Sequence, residues 1–475
     1  MVDQKVITQT PAQEITRLFN LQKAHQFEVG NTTATERIAK LKKLHAVLLK
    51  YREQIKEAMY NDFRKHPSEV DMVEIYPVTS LIKHVKRNLA SWMRNERVDT
   101  PIALLGSTSY IKYEPKGVVL VMAPWNFPFM LTLGPVIVAI AAGNTVIAKP
   151  SEHTPNASAL ITKIISETFP ENEVAAVQGG IDTAKGLLEL PFNLIYFTGA
   201  PEIGKIVMAT AAKNLTSVTL ELGGKSPTIV LESANIDMAA KRIVYGKFIN
   251  KGQVCIAPDY VFVHENIKPA FLAAVKKQLN NFYSEEAANE PSYCRMVNGH
   301  HHDRVKNLFE DAIAKGAKVE AGGVFDASHD YIAPTILTNV SLDSEIMQEE
   351  IFGPILPVIR FSKLDDVITT INSREKPLAL YIYGKNKKEI RYILGNTRAG
   401  GTCINQNAVH FFNLNLPFGG SNNSGIGKGG GVHGFREFSN ARGVLKQHVP
   451  NALDLLTPPY NNFKQRLIEF TIRYL

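Results

Sequence analysis

Cysteine is scarce in this chain. Three residues, Cys255, Cys294 and Cys403, cannot build a disulfide framework, and no C-x-x-C spacing exists to hold zinc. That scarcity fits a reducing, cytoplasmic setting. No secretory leader is expected either, since Met1-Val2-Asp3-Gln4-Lys5 lacks the apolar core of one. Basic blocks are absent as well. The net charge is +8, yet Lys and Arg are scattered among 45 acidic residues. The densest cluster, Lys40-Leu41-Lys42-Lys43, falls on a predicted helix as a solvated face. No nucleic-acid motif accompanies the charge, so no nucleic-acid partner is expected. One stretch lacks charge entirely: Gly117 to Ala148 matches a membrane span in length. Pro124, Pro128 and Pro135, with the strand-like Val118-Val119-Leu120-Val121, point instead to a buried strand, an irregular loop and a buried helix. No transmembrane segment is therefore expected.

What is present suits a soluble enzyme of two or three domains, with 475 residues, 45% hydrophobic and 21% charged. Helical spacing of Ile38, Leu41, His45, Leu48, Ile55 and Met59 predicts a helical stretch over 36–60, and a second runs over 69–92. Short β-branched runs at 117–123, 144–149, 174–178, 193–198 and 217–221 then alternate with helical patterns at 133–142, 156–168, 182–189 and 201–212. This alternation predicts a parallel sheet covered on both faces. After Gly224 the pattern resumes with a strand at 228–231, a helix over 236–250, and strands at 259–263, 356–361 and 378–383, implying a second α/β domain. The segment 99–116 is polar and β-branched and breaks the alternation, as an arm pairing with a partner subunit would.

Cys255 lies in Gly252-Gln253-Val254-Cys255-Ile256-Ala257-Pro258, 34 residues after Glu221 in Leu220-Glu221-Leu222-Gly223-Gly224-Lys225. A thiol attacks carbonyls well, and a carboxylate in a partly apolar pocket can serve as a base. On the residues alone, Cys255 is either a nucleophile or a buried structural thiol, and Glu221 either a base or a salt-bridged strand end. Gly199-Ala200-Pro201-Glu202-Ile203-Gly204-Lys205 nearly spells a P-loop, but Ile206 stands where a magnesium-binding hydroxyl is needed. It still sets glycines at a strand–helix junction, where a pyrophosphate can approach backbone closely. Gly425-Ile426-Gly427-Lys428-Gly429-Gly430 matches G-x-G-x-x-G but follows a loop, and reads as a turn. His300-His301-His302 has no Asp, Glu or Cys completing a ligand set; these residues are expected at the surface ahead of a helix, and no metal is expected.

Taken in order, several motifs resemble those of NAD(P)-dependent aldehyde dehydrogenases, most closely the class 3 branch of fatty and aromatic aldehydes. They are Ala123-Pro124-Trp125-Asn126-Phe127-Pro128, Ala148-Lys149-Pro150-Ser151-Glu152, Phe197-Thr198-Gly199, Leu220 to Pro227, Gly252 to Pro258, Glu349-Glu350-Ile351-Phe352-Gly353-Pro354 and Leu416-Pro417-Phe418-Gly419-Gly420. The resemblance implies an α/β fold with a Rossmann-type cofactor domain (1–98 and 117–222), a catalytic domain (223–417), a small β oligomerisation arm (99–116 and 430–449) and a C-terminal tail (450–475). It implies Cys255 as nucleophile, Asn126 as oxyanion donor beside the Cys255 backbone N–H, and Glu221 as base for thioester hydrolysis. Lys149 and Glu152 would approach the adenosine ribose, Gly199 and Gly204 the pyrophosphate, and Glu350 and Phe352 the nicotinamide ribose and ring. NAD is the expected cofactor, with NADP possible, an aldehyde the substrate, and a homodimer the assembly. Two departures stand out: Val254 where many relatives carry Thr, and Ala200 where many carry Ser. In the tail, Phe463, Leu467, Phe470 and Tyr474 share a helical face, suited to a subunit contact or a membrane surface.

Overall fold

The computed structural model describes residues 9–450 and 452–474, so the Met1–Lys5 stretch lies outside the described residues. Five parallel strands form the first sheet: Val118–Met122, Thr145–Lys149, Val174–Ala176, Leu194–Gly199 and Ser217–Leu222. Numbered along the chain, they lie in the order 3-2-1-4-5. This is the doubly wound order, whose switch point lies between Val118–Met122 and Leu194–Gly199. The run Val118 to Met122 is buried throughout because both faces are covered. Val119 and Val121 enter one core with helices Ala34–Lys50, Arg52–Phe63 and Pro128–Ala142, while Val118, Leu120 and Met122 enter another with Ala12–Gly30 and Pro201–Ala211. The period of two along a strand thus joins two separate cores. The uncharged stretch resolves as strand, loop and buried helix, and among the described residues no helix is long and apolar enough to cross a membrane.

The chain changes sheets at Gly223–Ser226. A second sheet of seven strands begins at Pro227–Val230 and adds Tyr260–His264, Ile355–Phe361, Thr335–Thr338, Ala379–Tyr383 and Gly401–Ile404 in parallel, with Lys318–Ala321 antiparallel at one edge. A third, three-stranded antiparallel sheet joins Glu96–Val98, Ser107–Pro115 and Ser439–Gln447. Within 430–449, only the part from Ser439 enters that sheet; Gly431–Glu437 is a helix packed on Tyr76–Trp92 and Pro128–Ala142.

Three local expectations need correction. The histidines do not precede a helix but form its first turn, in Gly299–Ala314, where Asn298 caps the start by accepting from His301 N. The helical phase then turns His302 inward, leaving it 1% exposed near Phe325. The turn predicted at 425–430 begins with a short strand, Gly425–Ile426, pairing antiparallel with Leu220 and Glu221. The helical pattern over 69–92 contains a π-helical segment, Asp71–Ile75, whose extra residue resets the helix face.

That π segment holds Glu74, which is fully buried 3.5 Å from an equally buried Lys65. Lys65 also lies over the Phe63 and Phe127 rings. Burial pushes the Glu74 carboxyl up to about 7, against the pull of Lys65. Folded Glu74 therefore holds its proton more tightly than an unfolded Glu. Its contribution favours folding below the usual 4.5 and is lost as pH rises through about 7. Lys65→Met removes the opposing charge, so thermal unfolding should show a loss on the order of 3–5 kcal/mol at about pH 8 and a smaller one at about pH 5. An equal loss at both would mean that Lys65 acts through packing alone.

Candidate active site

Two loops meet between the sheets. The first follows Val118–Met122 and carries Asn126, which is 3% exposed. The second, after helix Ile236–Phe248, carries Cys255. Asn250 and Lys251 lie in the left-handed region (φ 48° and 56°) and Gly252 follows at φ 73°. A Cβ on Gly252 would come within 2.4 Å of Gly353 O, so only glycine passes there. Asn126 Nδ2 donates to Gln253 O at 3.0 Å, and Asn250 Nδ2 donates to Asn126 O at 3.0 Å. Asn126 keeps a second amide N–H beside the cysteine loop.

Cys255 is half-buried, whereas Cys294 and Cys403 are buried. Cys255 and Glu221 line one apolar cleft, whose walls include Leu81, Met130, Val138, Phe411 and Phe438. Burial, reinforced by the charges of Glu350 and Glu221, pushes the Cys255 thiol up to about 12. Glu221 ends strand Ser217–Leu222 and is 6% exposed. Burial raises it to about 8, although Lys428, the Gly429 N–H and Tyr196 all favour its charged form. Its Oε2 has no hydrogen-bond partner among the described residues.

The charge of Glu350 acts on the Cys255 thiol. Its carboxylate packs on Gly223, where a Cβ would meet Oε2 at 1.9 Å, and accepts from Gly224 N. Burial, then the charge of Asp259, raises it to about 8. Phe352, with φ 45°, meets Trp125 edge-on at 5.4 Å.

The cofactor candidates gather at the carboxyl ends of the first sheet, which is where ligands bind in doubly wound folds. Lys149 Nζ bonds Glu152 Oε2 at 2.8 Å. Burial opposes ionisation of Glu152, but Lys149 outweighs it and the carboxyl stays below its usual range. Gly199 ends its strand one residue before helix Pro201–Ala211, whose first N–H groups have no helical acceptor. At Gly204 a Cβ would sit 2.7 Å from Leu222 Cδ2, so the glycine also permits close helix–strand packing. The strand order, the junction and the Lys149–Glu152 pair together fit a dinucleotide.

Sequence reasoning missed Tyr196, Lys428 and Gly429 around Glu221. Tyr196 directly precedes the recognised Phe197-Thr198-Gly199, and the other two lie in the discounted glycine pattern. It also missed His301, 4.8 Å from Trp125 between ring centroids. Among the described residues no group of three His, Cys, Asp or Glu could hold a metal ion.

The aldehyde dehydrogenase family profile matches residues 3–444. Bacillus subtilis (strain 168) AldX is 44% identical over 91% of this chain and 98% of its own length. A dimeric, NADP-preferring aldehyde dehydrogenase of Canis lupus familiaris is 39% identical over 91% and 95%. The substrate-bound structure of Staphylococcus aureus AldH superposes with TM-score 0.92 at 40% identity, covering 96% of this chain and 99% of that one. The chain belongs to the aldehyde dehydrogenase family. It is an NAD(P)-dependent enzyme that oxidises aldehydes, as read from its motifs.

Because the thiol of this dehydrogenase is held far above neutral, the free enzyme should resist alkylation at neutral pH. Iodoacetamide labelling of Cys255 should accelerate about tenfold per pH unit between about 7 and 10, without levelling off. A plateau near pH 8 would reveal a thiolate that the apolar cleft does not suppress.

Proposed function

We propose that Cys255, Glu221 and Asn126 divide the oxidation between them. The observation that carries this reading is the facing of a half-buried thiol and a carboxyl with an unpartnered oxygen across one apolar cleft. Cys255 loses its proton and its sulfur bonds to the aldehyde carbon, which pushes the carbonyl electrons onto oxygen. Carboxyls with pKa values of about 8 are suited to accept that proton near neutrality. The Asn126 amide and the Cys255 backbone N–H donate to the resulting oxyanion. NAD(P)⁺, when bound, accepts the hydride. As the C–H bond breaks, the oxyanion electrons reform C=O and leave a thioester on Cys255. Glu221 then takes a proton from water, the water oxygen adds to the thioester carbon, and the C–S bond breaks to release the carboxylic acid.

The apolar walls support medium or long aliphatic and aromatic aldehydes as substrates. We assign the first sheet and its helices to cofactor binding, the second sheet to catalysis, and the antiparallel strand pair Ser107–Pro115 and Ser439–Gln447 to a homodimer contact. Exposed Val98, Ile102, Leu105 and Leu445 support that arm contact, and the dimeric canine relative agrees with it. The anionic Glu152 disfavours a ribose 2′-phosphate, so NAD is the preferred cofactor. Three free cysteines support a cytoplasmic location.

Rapid-mixing kinetics with aliphatic and aromatic aldehydes test the assignment. Cys255→Ala should abolish turnover. Glu221→Gln should give one burst of reduced cofactor and then stall, and Asn126→Ala should slow the burst by about 10²–10³. Wild-type steady-state turnover in Glu221→Gln would remove Glu221 from the mechanism.

A further inference from the structure

The two oxygens of Glu221 are not equivalent. Oε1 accepts from the Tyr196 hydroxyl at 3.5 Å, while Oε2 is buried with no partner among the described residues; the nearby Gly429 N–H donates to Phe418 O. The Tyr196 ring is itself buried and stacks on Phe438, with centroids 5.3 Å apart and planes 11° apart. Glycines close the remaining space. A Cβ on Gly429 would sit 2.7 Å from Tyr196 Oη and 3.3 Å from Glu221 Oε1, and one on Gly419 would sit 3.0 Å from that same oxygen. Around Oε1 the glycines thus leave room for one hydroxyl, that of Tyr196.

Other charged groups near Glu221 are committed elsewhere. Lys428 Nζ donates to Gly419 O at 2.6 Å and Gly420 O at 2.7 Å, and Glu437 Oε1 accepts from Thr219 at 2.9 Å. Lys428 and Glu437 act on Glu221 through space with opposite sign, and Cys255 shares its cleft. No other side chain hydrogen-bonds to Glu221 among the described residues.

We propose that the Tyr196 hydroxyl is the positioning residue of the hydrolytic base, holding Oε1 so that Oε2 is the oxygen presented to water. This rests on Glu221 being the base. During hydrolysis Oε2 takes a proton from water, the water oxygen bonds to the thioester carbon, and sulfur leaves as the C–S bond breaks. The hydroxyl steers that step in two ways. It fixes which oxygen faces the cleft, and by donating to the carboxylate it favours the charged, basic form.

Tyr196→Phe removes only the hydroxyl and keeps the ring on Phe438. Acetylating Cys255 with p-nitrophenyl acetate and following loss of the acetyl group by quenched intact-protein mass spectrometry isolates hydrolysis from every other step. The expected result is an acetylated fraction equal to wild type, hydrolysis slowed about three- to tenfold near pH 7, and a midpoint of the pH–rate curve raised by about half a unit or more. Because each decay is read only from acetylated molecules, a poorly folded fraction does not distort the comparison. An unmoved midpoint overturns the proposal, whether the rate is unchanged or uniformly lower, since uniform loss reports packing. Glu221→Gln in the same assay separates the two ideas: wild-type hydrolysis there defeats the base itself, whereas slowed hydrolysis beside an unmoved Tyr196→Phe midpoint defeats only the tyrosine.

Discussion

The amide of Asn250 donates to Asn126 O at 3.0 Å and to Gln253 O at 3.1 Å, while Asn126 Nδ2 donates to the same Gln253 O at 3.0 Å. These three bonds tie the Asn126 loop of the first sheet to the Cys255 loop of the second. They also retain a costly backbone. Asn250 and Lys251 are both left-handed non-glycine residues, each costing on the order of 1–3 kcal/mol. The surroundings must over-determine such a turn, and they do so from several sides. Glu69 Oε1 accepts from Asn250 N at 3.1 Å, Lys251 Nζ donates to Cys294 O at 3.2 Å, and Gln253 Nε2 reaches Arg295 O at 3.2 Å. The Lys65–Glu74 pair lies directly behind Asn126 O, with Lys65 Nζ 3.4 Å from it. Geometry at the sulfur is thus inherited from buried polar contacts well outside the cleft.

With the loops fixed, the cleft's low polarity governs its proton chemistry. Cys255, Glu221 and Glu350 are all raised, chiefly by burial, and the two carboxylates raise the thiol further. The three cannot all be ionised at little cost, because each negative charge disfavours the next. Their titrations are coupled, and an observed pH dependence belongs to the set rather than to one residue. Keeping the thiol neutral until a substrate arrives also limits its oxidation, which follows thiolate character and exposure.

Much of this arrangement was legible in the chain. Val118–Met122 and Thr145–Lys149 appear as short apolar runs because both of their faces are buried, which leaves no polar alternation to blur them. Cys255, Glu221 and Asn126 stand out through their motifs, since each needs unusual backbone next to a reactive group. Other features depend on tertiary context that spacing does not carry. The inward turn of His302 follows from a cap at Asn298 that shifts the helix start. Tyr196 looks like any strand residue until Phe438 and Gly429, more than 200 residues away in sequence, close around it. The pairing of Gly425 with Glu221 is equally invisible, because a two-residue strand has no periodicity to detect.

At Gly204 the missing side chain makes room for Leu222, the residue after Glu221. Helix Pro201–Ala211 therefore rests on the end of the strand that carries Glu221. On the other side of that strand, Gly425 pairs with Glu221 and Leu222 N donates to Ser424 O at 3.1 Å. Glu221 is held between helix Pro201–Ala211 and the glycine-rich segment 419–430. Close packing on both sides transmits displacement rather than absorbing it. A shift of that helix large enough to disturb Leu222 must also move Glu221 relative to Cys255, so the seating of the helix and the placement of Glu221 are one structural requirement.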